Sequence, residues 1–156
     1  MIANLEKNIL VANTADSKEI HELQLVAFLE QAKIYKTKNL PSLTETYEHH
    51  AAEFSNFTYL KVVSDQKIIG SVRGSVKHDI CYIGRLIVHP GFQNKGLGKI
   101  MMKYIEEKFY TAKRYELFTG HLSLKNIHLY ESIGYSIYKE EQYSDILSII
   151  HMYKEN

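Results

Sequence analysis

Three glycines and two lysines crowd the segment HPGFQNKGLGKIM, His89 to Met101, directly after the apolar run Leu86-Ile87-Val88. From its Leu97 onward, Leu97, Ile100, Met101, Tyr104, Ile105 and Phe109 recur at the spacing of one buried helical stripe. A strand that ends in proline and glycine and resumes at once as a helix leaves the chain few options. It predicts a right-handed crossover to a parallel neighbour strand. It also predicts an anion site, because the first helical amides lack intrachain acceptors and the helix dipole adds partial positive charge there. Gly96 and Gly98 would let a phosphate approach the backbone closely.

The flanking sequence places this unit in an α+β chain. NILVANTA reads as a short strand, and DSKE (Asp16 to Glu19) as a capping box ahead of a helix carrying Ile20, Leu23, Ala27 and Phe28. PSLTETYEHHAAEF repeats that signal, with Ser42 and Glu45 as the box and Leu43, Tyr47, Ala51 and Phe54 as the apolar face. FTYLKVVS and KIIGSVRGSVKH, joined by a tight turn at Asp65-Gln66, and DICYIGRLIVHP read as three strands. RYELFTG is a further strand, SLKNIHLYESIG a helix capped by Ser123 and stopped by Gly134, and YSIYKEEQY and ILSIIHMYK two closing strands. The expected order is β-α-α-β-β-β-α-β-α-β-β, a mixed, mostly antiparallel twisted sheet flanked by helices. No linker or repeat interrupts residues 1–156, so one domain is expected.

Composition removes several classes. At 45% apolar and 24% charged residues the chain is an ordinary globular one. A formal charge of +1 gives no overall field for nucleic acid or an anionic membrane. The N-terminal segment has neither a signal-peptide nor a spanning pattern, so a cytoplasmic setting is expected. Cys81 is the single cysteine, placed in an apolar strand where a buried thiol is favoured over a nucleophile. His49-His50 and the pair His121/His128 lack metal-ligand spacing, and no metal is expected.

Motif tests then narrow the glycine loop. Gly91 and Gly96 have the spacing of an NTPase phosphate loop, but Leu97 and Gly98 stand where Lys and Ser/Thr are required. A dinucleotide fingerprint would need a third glycine at Met101, in the first strand of a βαβ domain. What remains is Gln-x-x-Gly-x-Gly, Gln93 to Gly98, preceded by Leu86-Ile87-Val88-His89-Pro90. Here the sequence resembles the GNAT superfamily of acyl-CoA-dependent N-acyltransferases. NIHLYESIGY, Asn126 to Tyr135, is similar to that family's second signature, and the element order agrees with the family fold along the whole chain.

The resemblance implies an N-acetyltransferase using acetyl-CoA on a primary amine, of a small molecule or a peptide, by direct attack. It implies that the amides of Gln93, Asn94, Lys95, Gly96, Leu97, Gly98 and Lys99 hold the coenzyme A diphosphate. Main-chain groups of Leu86, Ile87 and Val88 would pair with the pantetheine arm and polarise the thioester carbonyl. Tyr130 corresponds to the family's tyrosine that protonates the departing sulfur, with Asn126 at i−4 in a cofactor-holding role. Many relatives carry a glutamate where this chain has Gly84, followed by Arg85, so the strand offers no general base. Glu45, Glu48 and Glu116 are the alternative carboxylates, and Glu45, Glu48 and Asp145 would suit a cationic acceptor. The rival class is a non-catalytic acyl-CoA-binding module. No nucleic acid or membrane partner is expected, and a homodimer is left open.

Overall fold

The computed structural model describes residues 2–156. Along the chain run α1 (Ile2–Glu6), β1 (Ile9–Val11), α2 (Ser17–Tyr35), α3 (Pro41–Thr44) and α4 (Tyr47–Phe54). Then come β2 (Thr58–Ser64), β3 (Lys67–Lys77), β4 (Ile80–Val88), α5 (Leu97–Lys108), β5 (Arg114–Gly120), α6 (Leu124–Ser132), β6 (Ser136–Gln142) and β7 (Ser148–Glu155). The strands form one sheet in the order β1-β2-β3-β4-β5-β7-β6, antiparallel everywhere except between β4 and β5. This is the expected mixed α+β sheet with helices on both faces.

Strand alternation explains the two faces. Leu60 and Val62 of β2 join Val72, Cys81 and Ile83 under Met101, Met102 and Ile105 of α5. Tyr59, one residue out of step, packs on the other face with Ile20 and Leu23 of α2 and Phe54 of α4. Helix α5 lies unusually close to the sheet: a Cβ at Gly74 would stand 2.8 Å from the Phe109 ring, and one at Gly70 3.0 Å from the Met101 sulfur. Both hairpin turns, Asp65-Gln66 and His78-Asp79, hold consecutive positive φ angles, the two-residue geometry whose twist matches the flanking strands. At the far side, every residue of β6 is exposed.

Three local expectations are corrected. The Asp16–Glu19 capping box does not form; Asn13 caps a 3-10 turn, reciprocally with Asp16. Asp16 instead takes a 2.8 Å hydrogen bond from Lys61, and the Glu19 carboxylate accepts from the Ile68 amide. The helix expected over PSLTETYEHHAAEF is two helices, broken at Glu45 and Thr46, both with extended backbone. Thr46 restarts it by accepting from the His49 amide, while Glu45 turns inward to polar partners that a continuous helix would not let it meet. Ser123 precedes α6, but its hydroxyl donates to Gln31 and pairs with Tyr35 rather than capping the helix.

The consequential irregularity is in β4. Ser71 lies opposite Ile87 and Arg73 opposite Gly84, so three residue steps on β4 answer two on β3. The extra residue forms a bulge, and Arg85 within it has φ +51, a left-handed conformation uncommon for a side-chain-bearing residue. On its other edge β4 pairs with β5 only over Ile80–Tyr82. Beyond that point the two strands diverge.

Ile105 is fully buried against both β3 and β4 neighbours. Ile105→Ala is expected to lower unfolding free energy by about 2–5 kcal/mol, read as a lower urea midpoint at unchanged denaturant slope.

Candidate active site

The opening between β4 and β5 is the centre of the site. From Ile83 to Val88 the β5-facing edge of β4 has no strand partner. A cavity of about 630 Å3 fills the gap. On one side it reaches Asn126 and Tyr130 of α6; on the other it reaches Phe28 and Tyr35 of α2 and Leu40 before α3. A second cavity of about 530 Å3 lies toward α3 and the β6–β7 turn, lined by Glu45, His49, Arg85, Tyr143 and Asp145. Arg85 borders both.

The glycine turn adjoins this opening. Gly96 has φ +82 and caps α5, whose Leu97, Gly98 and Lys99 amides have no acceptor among the described residues. Gly98 faces Leu86 and Leu129, whose methyls lie 3.8 and 3.4 Å from where a Cβ would stand. The helix mouth, the bulged strand and α6 therefore meet at one place. Gln93 braces the turn by donating to the Val88 carbonyl at 2.9 Å, and His89 accepts from the Gly91 amide. Asn94 is left-handed at φ +62. Lys95 stands over the Phe92 ring at 5.6 Å, and Lys99 is exposed at the helix start.

Among the other residues expected at a site, Leu86, Asn126 and Tyr130 line the larger cavity. Ile87 instead faces the α2 side of the core. Tyr130 is buried, and burial pushes its phenol pKa up, so it is protonated at neutral pH. Its hydroxyl has no hydrogen-bond partner among the described residues. Glu45 and Asp145 border the smaller cavity, whereas Glu48 is exposed and borders neither. Glu116 also lies outside both, bound to the Tyr138 hydroxyl at 2.6 Å and to Arg114 at 3.3 Å.

Glu45 is an enclosed charged group here, its side chain 5% exposed against 20% for Arg85. Burial alone would raise its pKa; hydrogen bonding from Gln24 and the positive charge of Arg85, with His49, hold it below the ordinary value instead. Gln24 donates at 3.1 Å and His49 at 2.9 Å, and Arg85 stands 3.8 Å away. Cys81 lies in the α5-side core, and burial pushes its thiol up to about 12, so it is no nucleophile at neutral pH. Among the described residues no group of three or more histidine, cysteine or acidic side chains is gathered as a metal site, and no helix is long and apolar enough to span a membrane.

The sequence reading missed Arg73, Tyr35 and the position of Arg85. Arg73 and Arg85 are charges inside apolar strands, which is the signal that could have drawn attention to them. Tyr35 carries no such signal. It ends α2, and its hydroxyl bonds to Ser123 at 2.9 Å and accepts from the Leu122 amide at 3.0 Å, tying α2 to the start of α6 across the opening.

A family model described as the acetyltransferase (GNAT) family matches residues 18–135, and the chain belongs to that family. The UPF0157 protein YqkA of Bacillus subtilis (strain 168) is 23% identical over 139 residues, covering 88% of this chain. The chain spans about 40% of that curated relative's length. Two solved structures share the fold. The PaiA N-acetyltransferase from Thermoplasma acidophilum in complex with coenzyme A has a TM-score of 0.78 at 17% identity, over 95% of this chain and 99% of its own. The ribosomal-protein-S18-alanine N-acetyltransferase from Escherichia coli has 0.77 at 16%, over 94% and 92%.

Behind the site, His50 is fully buried between His21, Phe54 and Tyr59, and neither ring nitrogen has a partner among the described residues. Burial lowers its pKa from 6.5 to about 4. The unfolded chain takes up that proton first, so stability is full above pH 6.5 and falls toward about pH 4, by about 1.4 kcal/mol per pH unit. Glu45 adds its own loss only below its ordinary 4.5. Urea midpoints compared above pH 6.5 and just above pH 4.5 should show the decline, and His50→Leu should flatten it.

Proposed function

We propose that this chain, as one domain over residues 1–156, is an N-acetyltransferase that moves an acetyl group from acetyl-CoA to a primary amine by direct attack. The observation that carries the reading is the unpaired β4 edge opening beside the free amides of α5, with Tyr130 lining the same gap. The solved relative from Thermoplasma acidophilum is a coenzyme A complex, which supports coenzyme A as the ligand of such a cradle.

The residues fit an acyl-CoA. The Leu97, Gly98 and Lys99 amides, with Gln93 to Gly96 leading into them, offer a diphosphate several N–H donors at the positive end of a helix dipole. The open edge of β4 offers ladder-type hydrogen bonds to an amide-containing arm lying where a strand would otherwise pair. Asn126 adds a side-chain amide on the same side of the cavity as Tyr130. When bound, the thioester supplies an acetyl group activated toward nitrogen nucleophiles.

The chemistry then needs two things from the protein, one at the acyl carbonyl and one at the leaving sulfur. Main-chain amides of the bulged segment polarise the acyl carbonyl as it becomes tetrahedral. A neutral amine forms the new C–N bond, and the C–S bond breaks. Tyr130, protonated and without another partner, donates to the leaving sulfur and regains a proton from water, while the amine's surplus proton leaves to solvent.

Thiol release from acetyl-CoA across an amine panel tests the activity. Tyr130→Phe should lower kcat by about a hundredfold or more, with coenzyme A affinity unchanged. Unchanged turnover would remove Tyr130 from the mechanism. Gly96→Ala puts a side chain at φ +82 and should lower the unfolding free energy by about 1–2 kcal/mol, read as a lower urea midpoint; a turn that shifts to relieve the strain should also bind coenzyme A more weakly in calorimetry.

A further inference from the structure

The acceptor side of the opening has an imbalance of hydrogen-bonding groups. Arg85 keeps 20% of its side chain exposed and borders both cavities, yet its guanidinium makes no hydrogen bond to a described residue. Its ionic neighbour Glu45 is 3.8 Å from Nη2, beyond hydrogen-bond range, and its Nη1 is buried without a partner. A guanidinium carries five N–H donors in a fixed fork. Leaving them unmatched in a half-enclosed site costs stability that folding alone gives no reason to accept.

A second guanidinium deepens the asymmetry. Arg73 borders the larger cavity, stacks on Phe57 at 3.9 Å and donates to the Tyr59 hydroxyl at 3.0 Å, while its Nε has no partner. The carboxylates nearby leave the Arg85 donors unmatched: Glu45 meets it by charge at 3.8 Å but not by a hydrogen bond. Glu45 already accepts from Gln24 and His49. Glu141, on exposed β6, is engaged by Lys139 and His151, and Asp145 is exposed at the edge of the smaller cavity. The walls around the arginines are Phe28, Leu40, Phe57, Tyr82 and Leu147.

We propose that the acceptor is an amine bearing a carboxylate on an apolar or aromatic body, an amino acid or close analogue, and that Arg85 binds the carboxylate. The assignment rests on the acyl-transfer reading above. Arg85 immediately precedes Leu86 on the unpaired edge, so a carboxylate held there keeps an amine a few atoms away beside the segment that would present the acyl carbon. The planar fork matches a carboxylate's two oxygens. A polyamine would instead add positive charge beside two guanidinium groups. The carboxylates that suggested a cationic acceptor in the sequence thus yield to the arginines between them.

Matched ligands decide the matter. With acetyl-CoA, phenylalanine and leucine should each exceed phenethylamine and isopentylamine in kcat/KM by about tenfold or more, with spermidine below both. Calorimetry on the coenzyme A-saturated protein reads the same contrast without chemistry, using N-acetylphenylalanine against N-acetylphenethylamine. Arg85→Gln should weaken the carboxylated ligand by about tenfold or more and leave its partner within about twofold. Glu45→Gln, which removes the opposing charge, should tighten it; a cationic acceptor predicts the opposite. If Arg85→Gln does not fold, the ligand pairs on the unaltered protein decide alone. Equal binding within the pairs, no binding by either member, or a preference for spermidine overturns the assignment. A persistent carboxylate contrast with no coenzyme A binding and no thiol release would instead sink acyl transfer and leave the anion site standing.

Discussion

Everything distinctive in this molecule follows from a ladder that stops. After Tyr82 and Glu116, β4 and β5 no longer exchange hydrogen bonds, although both strands continue. In the middle of a sheet such a break leaves main-chain donors and acceptors without partners, an arrangement that folded proteins otherwise avoid. It persists here because the rest of the fold enforces it. The bulge at Arg85 turns the strand, α5 is pinned against β3 and β4 by Met101, Met102 and Ile105, and the Tyr35 hydroxyl bridges the gap to the loop before α6. The break also lets helices from opposite faces of the sheet reach one cavity, which an intact ladder would wall off.

Charge placement in the opening obeys a related logic. Glu45 could not be buried as a helical residue; the chain abandons helix for two residues so that its carboxylate can meet Gln24, His49 and Arg85. The same segment brings His21 to the Glu45 carbonyl and sets His50 into the core beside Tyr59. A polar strip thus runs from α2 through the α3–α4 break to β4, at the boundary between the apolar core and the cavities. Its geometry depends on the helix break more than on any one hydrogen bond.

What could be read in the sequence was local. The strand–glycine–helix unit, the hairpin at Asp65-Gln66 and the helix stop at Gly134 are each dictated by a few adjacent residues, and all three stand in the structure. Tyr130 and Asn126 were legible as one helix face because four residues make a turn. The failures are of another kind. Both misread capping boxes had the right residue types, but Asp16 and Glu19 were claimed by Lys61 and Ile68, and Glu45 by Gln24, partners more than twenty residues away in sequence. Arg73 and Arg85, twelve residues apart, come to one cavity because β3 and β4 pair. Strand pattern marks the elements but not which side chains face the opening, so the two arginines of the cavity are seen only in the folded chain.

The exposure of β6 has its own consequence. A terminal strand with an open outer edge is a template on which another chain can add, and solvent on both faces gives it little apolar burial to fix its register. Its central Lys139-Glu140-Glu141 run places ionised groups along that edge, and a neighbouring copy would have to strip water from them to dock. Solubility in this fold is therefore guarded at the margin of the sheet by three consecutive charges, at the position where apolar alternation would have been most hazardous.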